Sequence, residues 1–131
     1  MNRLFLLLTL LLLPAFAACS SGGVENGPLS GSARYTGDDD IEDVIELDEE
    51  RISFGRSDFA VYQVDLVNRD EDDVQVEYRA LWFDADGIRV DSVTRSWKKV
   101  FVPGRSHTPV SSVAPNMEAV RCELEVRMSE Y

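Results

Sequence analysis

Three stretches of this chain alternate between apolar and polar residues with a period of two, the pattern of strands that bury one face. They are FAVYQVDLVN (59–68), VQVEYRALWF (74–83) and AVRCELEVRM (119–128). The residues predicted to face a core are, in chain order, Ala60, Tyr62, Val64 and Leu66, then Val74, Val76, Tyr78, Ala80 and Trp82, then Val120, Cys122, Leu124, Val126 and Met128. A chain with this pattern must place a second layer over each such face.

Three other stretches fit weaker or shorter strands: GIRVDSVTRSW (87–97), KKVFVPG (98–104) and HTPVSSVAP (107–115). Pro109 places the last of them at a sheet edge, because proline lacks the N–H that a central strand needs. Pro103 and Gly104 are expected at the second and third positions of a turn. About seven short strands predict an all-β, immunoglobulin-like antiparallel β-sandwich over residues 51–131.

The N-terminus has the pattern of an export signal. Arg3 supplies positive charge, an apolar run from Leu4 to Leu13 follows, and Pro14 ends it. This run is too short to span a bilayer core of about 30 Å, and residues 1–18 are therefore predicted to be a signal peptide. One interpretation of Cys19, the residue that follows this segment, is a chance cysteine after an ordinary signal peptide.

The sequence Phe-Ala-Ala-Cys at the end of that segment resembles the lipobox of bacterial lipoproteins. The resemblance implies that Cys19 carries the lipid and becomes the mature N-terminus. Ser20, rather than Asp, then implies the periplasmic face of the outer membrane as the location. Lipidation leaves Cys122 as a free thiol, expected to be a small buried hydrophobe; a reactive thiol is the alternative.

Residues 19–50 are expected to precede the folded domain. The part up to Gly37 is rich in Gly and Ser and predicts a flexible tether. The stretch from Asp38 to Glu50, DDDIEDVIELDEE, is expected to be solvated and disordered or only lightly attached. Its apolar residues also fit a weak helical turn or an edge strand, and its acids fit a calcium site or a docking segment for a basic partner.

The formal net charge of −11 argues against binding to nucleic acid or, through charge, to anionic lipid. No cofactor or small-molecule substrate is indicated. The sequence Asp84-Ala-Asp-Gly87 resembles part of a calcium loop but lacks the rest, and a hairpin turn is the better interpretation. The acidic loop RDEDDV (69–74) cannot easily share an ion with it.

His107, the only histidine, follows a turn and is expected to be exposed. It has no motif of a nucleophilic enzyme around it, and one His with one buried Cys is a poor zinc site. We therefore expect neither a catalytic residue nor a metal site, and no enzymatic activity.

The sequence Trp97-Lys98-Lys99 joins an aromatic residue to two bases in a chain that is short of bases. It is the candidate contact for an acidic partner or a glycan. In the alternative, Trp97 belongs to the core and the lysines protect an edge strand from aggregation.

The block from Val74 to Ser92, followed by Trp97 and VFVPGRSHTPVSSVAP, is similar to the YcfL family of small bacterial envelope lipoproteins. The matching residues are Tyr78, Arg79, Trp82, Phe83, Asp84, Gly87, Val102 and Pro103. The similarity covers about residues 59–128 and implies a lipoprotein with a β-sandwich and no assigned activity, encoded near regulators of cell-wall synthesis.

These observations predict a lipid-anchored periplasmic lipoprotein that acts as a protein-interaction module in envelope or peptidoglycan assembly. Its partners are the membrane, through the lipid, and an envelope protein. The alternative is an inhibitor of a basic periplasmic hydrolase such as lysozyme, because an acidic surface speeds encounter with a basic enzyme. A purely structural role is the third hypothesis.

Overall fold

A computed structural model describes residues 29–37 and 40–130 of the chain. Their elements are β1 (Ser30–Tyr35), α1 (Ile41–Val44), β2 (Ile45–Phe54), β3 (Ala60–Asn68), β4 (Val74–Phe83), β5 (Arg89–Val90), a 3₁₀ turn (Val93–Arg95), β6 (Lys98–Val102), β7 (His107–Val113) and β8 (Arg121–Met128). Within these residues no helix has the length and apolar character needed to cross a membrane.

The strands form two sheets that pack face to face, so the predicted all-β sandwich is confirmed. Sheet A has the order β1-β8-β4, and β5 and β6 both pair with the other side of β4. Sheet B has the order β2-β3-β7. The indole Nε1 of Trp82 in sheet A donates a hydrogen bond of 3.0 Å to Ser112 Oγ in sheet B, which links the two layers through the core.

The inward faces match the alternation in the sequence. Strand β3 alternates without interruption between buried and half-buried residues, and its predicted core residues are at most 1% exposed. The predicted core residues of β8 from Cys122 to Val126 are completely buried, whereas Met128 packs at the margin of the core. Burial of such apolar side chains is the main force that holds the two sheets together.

Strand β7 lies at the edge of sheet B, as Pro109 predicts. Ala114 N donates to Ala60 O at 2.8 Å and Asn68 N donates to Ser106 O at 2.8 Å. Even-numbered residues of β7 therefore bond to β3, and the backbone of Pro109 faces the free side. The missing N–H of Pro109 costs no ladder hydrogen bond there, and it obstructs pairing with another strand.

Strand β1 shows that the fold begins well before residue 51, the predicted domain boundary. It pairs with β8 in parallel, from Ser30 opposite Arg121 to Tyr35 opposite Val126. The flexible-tether prediction is therefore wrong for residues 30–35, and the sandwich is not wholly antiparallel. The Glu50 carboxylate accepts hydrogen bonds from Ala33 N at 2.6 Å and from the Tyr62 hydroxyl at 2.8 Å, which ties β1 to sheet B.

The acidic stretch is also ordered from Asp40 onward, which corrects the expectation of a solvated or lightly attached segment. It forms α1 and the start of β2, the helical turn and the edge strand that its spacing allowed. Ile41 is 2% exposed and Ile45 is completely buried. One turn of helix brings these two side chains to the same side, so two isoleucines attach an otherwise acidic segment to the core. Residues 38 and 39 lie outside the described part.

Two local predictions need correction. The stretch 87–97 contributes only the two-residue strand β5, and the 3₁₀ turn follows it. The turn after β6 is centred on Gly104 and Arg105 rather than on Pro103 and Gly104, and Arg105 has a positive φ of 54°. Gly104 is needed for a different reason, because a Cβ there would overlap the carbonyl oxygen of Glu71.

Candidate functional site

The outward side chains of sheet A form a network of ion pairs. Strands β4 and β8 are antiparallel neighbours, with Arg79 opposite Glu125 and Glu77 opposite Arg127. Arg79 Nε donates to Glu125 Oε2 at 2.5 Å, and Arg127 Nε donates to Glu77 Oε2 at 2.8 Å. Arg34 of β1 donates to the second oxygen of Glu125. The network therefore crosses three adjacent strands.

Glu125 is the centre of this network and is only 4% exposed. Burial by itself would raise the pKa of its carboxyl group, but the hydrogen bonds from Arg34 and Arg79 outweigh burial and lower the pKa. Glu125 is consequently ionised at neutral pH. A buried carboxylate with a cation on each oxygen is a positioned structural group rather than a free acid or base.

Trp97 lies over two of the network's arginines. The Cζ atoms of Arg79 and Arg127 are 4.5 Å and 4.1 Å from the centroid of its ring, within the range of cation–π attraction. The preceding 3₁₀ turn positions it, since Thr94 Oγ1 donates to Ala80 O at 3.0 Å and holds that turn against β4. Trp97 is half-buried and does not belong to the core cluster, so the alternative interpretation, in which Trp97 belongs to the core, is wrong.

In the edge strand β6, Lys99 lies opposite Glu77 and faces outward beside this site, whereas Lys98 lies opposite Tyr78, whose side chain packs against the core, and therefore belongs to the other face of the sheet. Both lysines are exposed, and no ion pair of either is found within residues 29–37 and 40–130. Of the three candidate contact residues, the structure brings Trp97 and Lys99 together with two arginines and does not bring Lys98 to that face. We call this set the Trp97 surface: Arg79, Trp97, Lys99 and Arg127.

The outer face of sheet A carries positive charge although the chain is acidic. Its strands present five arginines and one lysine outward against three glutamates, namely Arg34, Arg79, Arg89, Lys99, Arg121 and Arg127 against Glu77, Glu123 and Glu125. Such a face attracts acidic groups of a partner and repels cations.

A groove of about 790 Å³ opens beside Lys99, at the end of the sandwich where α1, the start of β4 and the end of β8 meet. It is lined by Asp40, Val44, Asp73, Val74, Gln75, Lys99, Met128, Ser129 and Glu130. Its apolar residues lie at the margin of the core, and three carboxylates face one ammonium group. The groove can accept a basic segment with an apolar side chain.

Cys122 lies on the inward face of β8 and is completely buried, as predicted. Burial, together with the charge of the neighbouring Glu123, raises the pKa of the thiol to about 12. The thiol form therefore dominates at neutral pH, and thiols react as nucleophiles through the thiolate. The buried-hydrophobe interpretation of Cys122 is the one that this environment supports.

The remaining single residues have structural positions. Asp84 Oδ1 accepts hydrogen bonds from Asp86 N and Ile88 N, both at 2.9 Å, and Gly87 has a φ of 80°; the predicted hairpin turn is confirmed. His107 is exposed at the start of β7, as predicted. Among the described residues, no three His, Cys, Asp or Glu side chains are placed to hold a metal ion. Cys19, the predicted lipid attachment, lies outside the described residues.

Sequence reasoning missed Arg79, Arg127 and Glu125 as parts of the site. The visible signal was the regular outward placement of charged residues on VQVEYRALWF and AVRCELEVRM. That signal does not identify the ion pairs by itself. They follow only from the pairing of β4 with β8, whose register places Arg79 opposite Glu125.

Two solved structures resemble this chain. One is a DUF1425 family member from Shewanella sp. pv-4, with 25% sequence identity and a TM-score of 0.59, covering 66% of this chain and 80% of the other. The second is Campylobacter jejuni cj0090, with 15% identity and a TM-score of 0.60, covering 74% of this chain and 97% of the other; at that identity the likeness shows the fold alone.

No protein with a curated description matches the chain. The family described as "Protein of unknown function (DUF1425)" matches residues 37–128, which include every strand except β1. The chain belongs to the DUF1425 family.

Proposed function

We propose that this protein is a lipid-anchored binding module of the bacterial envelope that captures an acidic partner protein through the Trp97 surface. The observation that carries the proposal is the placement of Trp97 against Arg79 and Arg127 beside the exposed Lys99. Tryptophan and arginine are the residue types most often responsible for binding energy at protein interfaces.

The arrangement also reduces the entropic cost of binding. Arg79 and Arg127 are already held by Glu125 and Glu77, and their guanidinium groups in turn support the indole ring. A partner therefore meets an aromatic surface whose side chains are largely fixed before contact, which lowers the cost of ordering them. Lys99 remains able to reach carboxylates on the partner.

The anchor is the second part of the proposal. The lipobox-like sequence before Cys19 supports acylation of that thiol, and Ser20 supports the periplasmic face of the outer membrane. Acyl chains supply membrane affinity in proportion to the methylene groups they bury, and more than one chain makes anchoring stable. Anchoring keeps the module close to the membrane, and this raises its effective concentration for binding to other envelope proteins.

A more specific assignment follows from the similarity to the YcfL family. Within DUF1425, we propose that this chain is a YcfL-like member and that its partner takes part in peptidoglycan assembly. The similarity of residues 74–103 supports this assignment. The proposed role is binding of that partner, and the protein itself carries out no catalytic step.

A second function, inhibition of a basic hydrolase such as lysozyme, is favoured by the groove beside Lys99. Its carboxylates, from Asp40, Asp73 and Glu130, complement a basic surface. Adding the purified protein to a lysozyme assay tests this function. Inhibition at micromolar concentration that is lost in a Glu130→Gln variant would support it, and full lysozyme activity would exclude it.

Photocrosslinking in cells tests the main proposal. A photoreactive amino acid is placed at Lys99, on the Trp97 surface, or at Ser111, which is exposed on the outward face of sheet B. We expect one dominant adduct from position 99, none from position 111, and loss of that adduct in the Trp97→Ala and Cys19→Ala variants. Equal adducts from both positions, or an adduct that is insensitive to Trp97→Ala, would contradict the Trp97 surface.

A further inference from the structure

Exposed apolar side chains concentrate at one end of the sandwich. Of the six large hydrophobic residues that are exposed in the described part of the chain, four lie there: Phe54 (41% exposed), Ile88 (64%), Val113 (49%) and Met117 (62%). The other two are Val93, in the 3₁₀ turn beside the middle of β4, and Phe101, in β6.

Backbone hydrogen bonds place these four residues at the same end. Phe54 ends β2 opposite Ala60, and Ala60 O accepts from Ala114 N, the residue after Val113, at 2.8 Å. The loop that contains Met117 continues to Val120, whose N–H donates to Phe83 O at 3.0 Å.

Ile88 closes the hairpin that follows Phe83, and its carbonyl oxygen accepts from Asp84 N at 2.9 Å. Three loops, at 55–59, 84–88 and 114–120, therefore project from one end of the two sheets. We call this the apolar end.

The chain from Cys19 enters the fold at this same end. Strand β1 begins at Ser30, whose N–H donates to Val120 O at 3.1 Å. Ten residues, 20–29, separate Cys19 from β1. Even a fully extended chain of that length reaches at most about 35 Å, so a lipid on Cys19 holds the apolar end close to the membrane surface.

The opposite end of the sandwich is more acidic than the apolar end. Its segments before and between strands carry eight acidic residues and two arginines: Asp40, Glu42, Asp43, Asp70, Glu71, Asp72, Asp73 and Glu130 with Arg69 and Arg105. The three loops of the apolar end carry one arginine and four acids: Arg56 with Asp58, Asp84, Asp86 and Glu118. Strand β8 separates the two ends by about 27 Å for its eight residues.

We propose that the apolar end rests on the lipid surface, with Phe54, Ile88, Val113 and Met117 in the interfacial layer, and that the acidic end points away from the membrane. This inference depends on the proposed lipid at Cys19. Individually exposed apolar residues bind a bilayer weakly, but a lipid anchor at the same end removes most of the cost of bringing them to it. The orientation leaves the outer face of sheet A accessible from the side.

Quenching by brominated lipids tests the orientation. Full-length protein is expressed in cells, purified from the membrane fraction and reconstituted in vesicles of phosphatidylcholine with bromine atoms near the headgroup. Two matched variants carry an added tryptophan at exposed phenylalanines: Phe54→Trp at the apolar end and Phe101→Trp on β6. The native Trp82 and Trp97 contribute the same background to both.

We expect the lipid to reduce the emission of the tryptophan at position 54 by about twofold or more and to leave that at position 101 unchanged, because bromine quenches over a short range at interfacial depth. An Ile88→Trp variant should behave like Phe54→Trp. Equal quenching of the tryptophans at 54 and 101, or none at 54 and 88, would overturn the orientation.

Mass spectrometry of the same preparation separates the two proposals. An acylated Cys19 without quenching at positions 54 and 88 overturns the membrane orientation alone. A Cys19 without acyl chains overturns the lipid anchor and, with it, this inference.

Discussion

The two outer faces of the sandwich differ in how their charged side chains are used. On sheet A, Glu125 lies between Arg34 and Arg79, and Trp97 covers the neighbouring arginine pair. On sheet B, Asp65 occupies the matching central strand with no ion pair within the described residues. The difference teaches that alternation decides which side chains face outward, whereas strand neighbours decide whether those side chains form a surface with fixed geometry.

The largest expected effect is the difference in lost stability between substitutions of the two central carboxylates, Glu125 and Asp65. Glu125→Ala removes the acceptor for two arginines, and hydrogen bonds to charged groups contribute about 1.5–3 kcal/mol each to stability, so we expect a loss of about 2 kcal/mol after relaxation. Asp65→Ala should change stability by less than about 0.5 kcal/mol, as surface substitutions usually do. Urea unfolding of both variants measures the contrast, and equal losses would erase the distinction between the faces.

Trp97→Ala tests how much the contacts of the indole ring with the ion-pair network contribute to stability. Exposed cation–π contacts are worth about 0.5–1 kcal/mol each, so removing the contacts with Arg79 and Arg127 should cost about 1 kcal/mol. A double-mutant cycle of Trp97→Ala with Arg127→Ala should show a coupling of about 0.5 kcal/mol or more. Additive losses would mean that the ring and the guanidinium group lie close without interacting.

Acid should weaken the protein through Glu125. Its pKa is lower in the folded state than the usual value of 4.5, so its contribution to stability is fully present above pH 4.5 and is lost as the pH falls through the lowered folded-state value. We expect the difference in unfolding free energy between the native protein and Glu125→Gln to shrink between pH 5 and pH 3. A constant difference over that range would show that ionisation of Glu125 does not stabilise the fold.

The smallest effect is expected for the exposed pair between Arg69 and Glu46, at the border of sheet B. Both side chains are substantially exposed, and such pairs contribute about 0–1 kcal/mol. Arg69→Ala should therefore shift the urea midpoint by less than Arg127→Ala does. A larger shift for Arg69 would show that sheet B has a stabilising surface of its own.

The alternation in the sequence predicted the inward side chains because a period of two assigns each residue to a face whatever its neighbour strand is. It could not predict that β4 lies beside β8, since the contact between Arg79 and Glu125 joins residues 46 positions apart. The placement of Trp97 depends on the 3₁₀ turn, which a two-residue strand precedes. Such short elements have no periodicity to detect.

The acidic stretch was the main wrong prediction, and its cause is physical. Charge density suggested solvation, but two isoleucines four residues apart, Ile41 and Ile45, are enough to attach a short segment when both are buried almost completely. Each such side chain contributes about 1.5–3 kcal/mol on burial. The acids remain at the surface and do not oppose this attachment.

The parallel pairing of β1 with β8 determines how the protein responds to a pull. Tension on the chain that precedes Ser30 acts along β1 and away from the body of the sandwich. A force in that direction slides β1 past β8, so the ladder hydrogen bonds from Ser30 to Tyr35 bear the load together, with Arg34 on Glu125 and Ala33 on Glu50 as added cross-links. A force perpendicular to β1 would instead break these hydrogen bonds one at a time, starting from one end of the strand. The strand that receives the tether is thus loaded in shear, the geometry in which a short strand withstands the greatest force.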